Sequence, residues 1–243
     1  MRTEKFRDIT LTRLDDGTVI AVSCDSCGAV GEKEGDALCC PAKITGRYTA
    51  RGALMEVLAV GAQPAVLTSA VCNEPQPTAE HILSGIREEL KSAGLQNVFV
   101  NGSSEKNMPT VQTGLGVTVI GVCREPELKI QPPQPGDVLL VCGLPKMGGE
   151  VVLGEDGEIA DYNCLRTLVQ CESVRQIVPV GSRGIAAEAA ELGNFVPVGS
   201  PAVDLQKSGG PSTCLIAAVC PQAVKELVRA LKVPASVVGT FVS

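Results

Sequence analysis

Along the chain, apolar positions recur with a period near two in some stretches and near four in others, and the switches between them mark the elements. Residues 9–11 and 18–23 read as two strands around the turn Asp15-Asp16-Gly17. Residues 45–64, TGRYTARGALMEVLAVGAQP, open with a Gly-Arg turn and continue as a helix that stops at Gly61 before Pro64. Between Ala53 and Val60 every residue except Glu56 is apolar, the mark of a buried helix. A carboxylate there needs a cation, a metal or hydrogen-bond donors. Glu56 is therefore either half of a structural ion pair, with Arg47 or Arg51, or a metal-facing acid.

Residues 65–72 give a third strand. Thr78 is placed to cap a helix over 79–93, with Ile82, Leu83, Ile86 and Leu90 as its apolar face, Glu80 near its start and Gly94 as its stop. Residues 98–100 form a short strand leading into a polar loop, 101–107, and a fifth strand covers 113–122. Three strand ends in this half, after Ser23, before Asn73 and after Val100, meet polar loops, where ligands of mixed α/β sheets tend to sit.

The proline-rich stretch 125–136, EPELKIQPPQPG, predicts an extended connector and a domain boundary, giving domains over 1–124 and 137–243. The second half repeats the α/β alternation: strands at 138–142, 177–180, 212–220 and 236–242, helices near 162–171, 183–193 (with Ser182 as cap and Gly193 as stop) and 222–232. The fold class is α/β.

Composition narrows the function. The formal net charge is -6, with no Trp and no basic block, which disfavours nucleic acid as a partner. No apolar segment is long enough to span a bilayer and the charged start, MRTEKFRDIT, has no signal-peptide pattern, so no membrane partner and a cytoplasmic protein are expected. The eleven cysteines, an odd number scattered among apolar residues, read as reduced and mostly buried.

The segment from Cys24 to Lys33, with Gly28, Gly31 and a lysine after a strand, has the makings of an anion loop, or of an ordinary Gly-rich turn. Cys24-x-x-Cys27 with Cys39-Cys40 supplies four thiolates for a zinc reading; a redox reading needs a helix N-terminus directly after Cys24, but glycines follow Cys27 instead. His81, the single histidine, has no second ligand or base beside it in sequence and reads as a surface residue.

Taken together, Ser23-Cys24-Asp25 after a strand, the helix ending Gly-Ala-Gln-Pro with an acid five residues before its Gly, PTAEHILSGIREELKSAG, NGSSEKN followed by TGLGVTVIG, PGDVLLVCGLPKMGGE and SRGIAAEAAELG resemble the aminoimidazole-ribonucleotide synthetase (PurM-like) superfamily. That group includes selenophosphate synthetase, thiamine-monophosphate kinase and the hydrogenase-maturation dehydratase. The resemblance implies a two-domain α/β protein, a homodimer through the sheet of its N-terminal domain, with a smaller C-terminal domain. It implies ATP between the domains, its phosphates held through Mg2+ by acids rather than by a phosphate loop, in keeping with the charge neutralisation that phosphoryl transfer needs.

Position by position, the resemblance makes Asp25 and Glu105 catalytic acids and metal ligands and Glu56 a third metal ligand, standing where most members carry Asp. It assigns Gly28, Gly31, Lys33, Asn101, Gly102 and Lys106 to the nucleotide, with Asp15 and Asp16 near an acidic pair that some members use. Arg183 stands where the kinase branch has acids; it is either a phosphate contact, which its planar fork suits, or a surface residue. The implied activity is ATP-dependent phosphoryl transfer to a small metabolite. The Gly-Glu-Lys and Ser-Ser-Glu-Lys stretches look most like alpha-ribazole kinase, of cobalamin lower-ligand salvage. Thiamine-monophosphate kinase-like or selenophosphate synthetase-like activity, or a non-catalytic ATP-binding protein, are the alternatives.

Overall fold

A computed structural model describes residues 1–151, 156–199 and 201–243. The chain forms two compact units: Met1–Val57 with Ala62–Glu125, and Leu58–Gly61 with Pro126–Ser243.

The first unit is built on a six-stranded sheet. Its elements are β1 (Arg2–Phe6), β2 (Ile9–Arg13), β3 (Thr18–Gly28), the short pair β4 (Val30–Gly31) and β5 (Leu38–Cys39), α1 (Ala42–Ala59), β6 (Gln63–Val71), α2 (Glu80–Ser92), β7 (Phe99–Ser104) and β8 (Gly114–Arg124). The strand order is β1-β2-β3-β8-β6-β7; β6 and β7 run parallel and every other pair is antiparallel. One face is closed: Val19 and Ala21 of β3, Leu67 of β6 and Val117 and Val119 of β8 are buried, as are Leu54, Met55 and Val57 of α1 and Ile82 and Ile86 of α2.

The opposite face is open. A row of apolar residues, Phe99, Val66, Ile120 and Val22, crosses four strands in register. Phe99 is 66% exposed and Val122, in the next row, 39%.

Several elements depart from the sequence reading. Strand β1 was missed, because RTEKF is mostly charged; it is an edge strand whose residues are largely exposed. Strand β3 does not end at Ser23 but continues to Gly28, paired residue for residue with β8, so Asp25 faces Val117 across the ladder. Helix α1 begins at Ala42, and the expected Gly-Arg turn lies inside it. Its Gly46 is needed for contact: a Cβ there would stand 2.0 Å from the Ile82 carbonyl oxygen, and one at Gly85 of α2 1.9 Å from that of Lys43. The two helices cross backbone to backbone. Strand β7 extends to Ser104, so Asn101 and Gly102 belong to a strand rather than a loop. Thr78 does not cap α2; its hydroxyl donates to Glu74, while Gly94 ends the helix at positive φ as expected.

The α1–α2 crossing engages the two arginines that the sequence offers as partners for Glu56. Arg47 Nε donates to Glu89 Oε2 at 2.8 Å and Arg51 Nη1 reaches Glu89 Oε1 at 3.5 Å, so both arginines bridge to α2. The Glu89 side chain is 1% exposed.

The second unit comprises β9 (Val138–Cys142), α3 (Tyr162–Gln170), β10 (Val174–Pro179), α4 (Gly184–Leu192), β11 (Phe195–Pro197), β12 (Leu215–Val219), α5 (Val224–Ala230) and β13 (Ala235–Phe241). Its sheet, ordered β10-β12-β9-β13-β11, is antiparallel throughout and has one strand fewer than the first. Leu139, Val141, Val178 and Ile216 pack with Ile185, Ala189 and Leu192 of α4. The proline-rich stretch is fastened to this unit: Gln176 Nε2 donates to the Gln131 carbonyl at 2.9 Å, and Lys129 Nζ to that of Cys171 at 2.7 Å.

Candidate functional site

Strands β3, β6 and β7 all point their C-terminal ends to the same end of the first sheet, because β3 and β6 are both antiparallel to β8 and β7 is parallel to β6. The sequence-predicted acids Asp25 and Glu105 both lie at that end.

Asp25 is half-buried on the helix-covered face. Its Oδ1 accepts the Ser26 N–H at 2.8 Å. Its Oδ2 lies over Gly52 of α1: a Cβ at Gly52 would sit 2.0 Å from that oxygen, so the missing side chain makes the niche that the carboxylate occupies. Burial pushes the Asp25 carboxyl above its ordinary value, the Ser26 N–H pulls it back, and the charge of Asp8 adds to the rise. Asp8, which sequence reading passed over, stands in the turn between β1 and β2. Glu56 is one turn beyond Gly52 on α1 and is half-buried.

Glu105 follows β7. Its N–H is shared between the carbonyls of Val71, at 3.1 Å, and Asn73, at 3.0 Å. Its Oε1 accepts the N–H groups of Asn107, at 2.6 Å, and Met108, at 3.1 Å, and these hold its carboxyl below the ordinary value. The carboxylate lines an open cleft of about 350 Å³ with Val71, Cys72, Ser104, Met108 and Thr110.

Among the described residues, no three His, Cys, Asp or Glu side chains are grouped to hold a metal ion. Asp25, Glu56 and Glu105 are therefore not a preformed metal centre. The register sets Asp25 and Glu105 three strand spacings apart, roughly 14 Å, too far for one ion to bind both directly. The acids present do offer hard oxygen donors of the kind Mg2+ takes, one or two at a time, beside phosphate oxygens.

Several other expected residues have structural employment. Gly28 closes β3, and Gly31 stands where a Cβ would meet the Thr113 hydroxyl at 2.2 Å. That hydroxyl donates to Asp36 Oδ2 at 2.7 Å, and the Lys33 N–H donates to the same oxygen at 2.9 Å. The 29–40 segment is thus fastened at several points. Lys33 Nζ pairs with Glu74 Oε2 at 2.5 Å. Desolvation works to raise the Glu74 carboxyl, but hydrogen bonds from Lys33 and Thr78 outweigh it and bring it down to about 2. Asn101 Oδ1 is taken by the N–H of Gly102, at 2.8 Å. Gly102 lets β7 approach β6: a Cβ there would meet the Ser69 carbonyl at 2.4 Å. Lys106 is exposed. Arg183, in the second unit, pairs with Glu188 at 3.0 Å and Glu191 at 2.5 Å of the helix it precedes. Asp15 and Asp16 sit in the β2–β3 turn, at the opposite end of β3 from Asp25, about 25 Å away along the strand.

The four-thiolate zinc reading fails on strand geometry. Cys24 and Cys27 are three residues apart in β3 and so project to opposite faces of the sheet. All eleven cysteines are free. His81 is on the surface, 49% exposed, with Nδ1 3.2 Å from Glu32. No described helix is long and apolar enough to cross a membrane.

Residues 7–123 match the family described as "AIR synthase related protein, N-terminal domain". No curated protein sequence gives a significant match. Among solved structures, the chain is similar to Thermotoga maritima PurL complexed with ATP (19% identity, TM-score 0.70, 96% of this chain and 42% of that one). It is similar also to the chain matched in a HypE–HypF complex (16% identity, TM-score 0.65, 96% and 86%) and to thiamine-monophosphate kinase from Stenotrophomonas maltophilia K279a (18% identity, TM-score 0.64, 98% and 89%). The chain thus spans less than half the length of the PurL chain that it matches. Residues 7–123 are thus similar to an AIR synthase-related N-terminal domain, and the fold of the chain is the α/β PurM-like fold.

Proposed function

We propose that the protein is an ATP-dependent phosphotransferase acting on a small metabolite, with Asp25 and Glu105 as the acids that meet the metal-bound nucleotide. The observation that carries this reading is the niche over Gly52. A half-buried carboxylate with its pKa pushed up by burial, and further by a neighbouring Asp8, is an arrangement that a cation would relieve. The fold is also that of a PurL solved with ATP.

Mg2+, when bound with the nucleotide, would neutralise phosphate charge during transfer. Asp25 would supply oxygen donors at one side of the sheet end and Glu105 at the other, while Glu56 stands one helical turn beyond Gly52. With no three-acid centre among the described residues, phosphate oxygens and water would complete the coordination. Glu105 keeps its carboxylate ionised through two backbone N–H groups, which suits a ligand better than a general base. Lys33 reaches a phosphate only by leaving Glu74, and Arg183 only by leaving Glu188 and Glu191. Asn101 and Gly102 precede, and Lys106 follows, the cleft-lining residues Ser103 to Glu105, and the three are assigned to nucleotide contact.

Alpha-ribazole is the acceptor that the Gly-Glu-Lys and Ser-Ser-Glu-Lys stretches favour; thiamine monophosphate is the second. The apolar row from Phe99 to Val22 supports a homodimer through the open face of the first sheet.

The test is a melting-temperature titration with ATP and MgCl2, paired with ATP turnover in the presence of alpha-ribazole or thiamine monophosphate. A ligand present at 100 times its Kd stabilises by about 2.7 kcal/mol, which is readily measured. A magnesium-dependent rise that Asp25→Asn and Glu105→Gln abolish supports the assignment. No rise at millimolar ATP and magnesium overturns it.

A further inference from the structure

The Glu105 loop is held from behind by a residue that no motif singled out. Asn73 follows β6 and is completely buried, 0% exposed. Its Nδ2 donates to the Thr110 hydroxyl and to the Gln112 carbonyl, both at 2.8 Å, and its Oδ1 accepts the Gly114 N–H at 3.0 Å. Its own carbonyl accepts the Glu105 N–H at 3.0 Å. The amide orientation is unambiguous, since the nitrogen faces a carbonyl and the oxygen faces an N–H. One side chain therefore joins the end of β6, the start of β8 and the 105–112 segment between β7 and β8. Glu105, Met108 and Thr110 from that segment all line the cleft.

We propose that Asn73 is a positioning residue for Glu105, setting where its carboxylate stands at the mouth of the cleft. The proposal rests on the reading of Glu105 as a ligand of nucleotide-bound magnesium. A buried amide with three satisfied hydrogen bonds fixes a loop more tightly than apolar packing does, because a shift of the loop leaves buried polar groups unpaired. Groups that orient metal-binding side chains typically change metal affinity by 10- to 100-fold when altered.

The near-isosteric Asn73→Asp keeps the acceptor for Gly114 and replaces both donations with a carboxylate facing two oxygens. The full chain is titrated with MgCl2 at fixed ATP, and the rise in melting temperature is followed. The expected result is a magnesium half-saturation raised about tenfold, with the same plateau reached at high magnesium, whereas Glu105→Gln stays flat. A lower starting melting temperature with unchanged half-saturation would mean that Asn73 serves stability alone, and the proposal fails. Where Asn73→Asp does not fold, Thr110→Val deletes one arm isosterically, and an unchanged half-saturation there overturns the proposal as well.

Amide hydrogen exchange gives a readout independent of nucleotide. In the variant, the Glu105, Asn107 and Met108 amides are expected to exchange about tenfold faster or more, while those of β3 and β8 beyond Gly114 hold. Unchanged exchange at the three amides defeats the positioning role. A flat magnesium response in the unaltered chain, with faster exchange at those amides in the variant, defeats the nucleotide reading and leaves the positioning of the loop standing.

Discussion

Glu89→Gln tests the crossing of α1 and α2. The substitution keeps the shape and removes the charge that Arg47 and Arg51 share. The Glu89 side chain is 1% exposed and that of Arg51 6%, so the arginine charge left behind stays out of water. Removing one partner of a buried ion pair costs about 3–5 kcal/mol, mostly the penalty of the uncompensated charge. Domains hold roughly 5–15 kcal/mol in all, so the loss is a third or more of a typical total. At about 3–5 °C per kcal/mol for a unit of this size, the expected fall in melting temperature is roughly 10–25 °C.

A chain of two compact units need not unfold in one step, so the assay is urea denaturation read by amide exchange at α1 and α2. Arg51→Leu combined with Glu89→Leu is expected to recover at least half the loss, because two apolar side chains replace two buried charges. Gly85→Ala offers a second approach to the same seam: the gain of about 1 kcal/mol in helix propensity is outweighed by the approach to the Lys43 carbonyl, for a net loss of about 1–2 kcal/mol. A loss below about 1 kcal/mol for Glu89→Gln, the range of ordinary surface changes, would refute the reasoning.

Other consequences can be checked more briefly. Gly52→Ala fills the niche of Asp25; the magnesium-dependent rise in melting temperature is expected to vanish although alanine favours the helix, and a retained response removes the niche from the argument. The Glu74 carboxyl is at about 2, against an ordinary 4.5. A depressed carboxyl stabilises above the ordinary value and loses that contribution as pH falls through its own, so the Lys33–Glu74 clip weakens between pH 4.5 and 2. Acid-protease cutting within 29–37 should rise across that window, and Glu74→Gln should show the same cutting at its upper end. Ile120→Arg on the open face is expected to convert the proposed dimer to a monomer in sedimentation; an unaltered dimer moves the interface elsewhere, and a monomeric parent chain removes it. Maleimide at pH 8 should label the exposed Cys24, Cys39 and Cys72 and spare Cys142 and Cys214, the latter pushed up to about 12 by burial.

Much of the fold was legible because burial leaves a period in the sequence. The α2 face of Ile82, Ile86 and Leu90 and its stop at Gly94 are where the pattern places them. Glu89 could have been found by the same rule: it lies seven residues after Ile82 and three after Ile86, on the apolar stripe, and a carboxylate there requires a cation. The nearer Glu56 drew the arginines instead, since a sequence shows neighbours along a helix more readily than partners across a crossing. Strand β3 was cut short at Ser23 because CDSCG lacks apolar residues, yet the ladder with β8 supplies its backbone with partners regardless of side chain. Asn73 left no signal. A buried amide is recognisable only once the three segments it joins are in place.

The same topology explains why acids so far apart in the chain share one end of a sheet. Helix α1 links β3 to β6 and α2 links β6 to β7, and each crossover returns the chain to begin the next strand in the same direction. Whatever residue follows any of these three strands must then emerge at a common end, whatever its sequence position. Asp25 in the last turns of the β3 ladder, Asn73 and Glu74 after β6, and Glu105 after β7 all obey this, while Asp15 and Asp16, which precede β3, are sent to the far end. The rule also separates Asp25 from Glu105 sideways by the width of the intervening strands. A ligand that engages both must be long, or must meet them through more than one cation, and an extended polyphosphate with bound magnesium satisfies either condition. A compact single-ion ligand satisfies neither. ATP should therefore raise the melting temperature more than AMP at equal magnesium, and an equal response to the two would show that only one of the acids takes part.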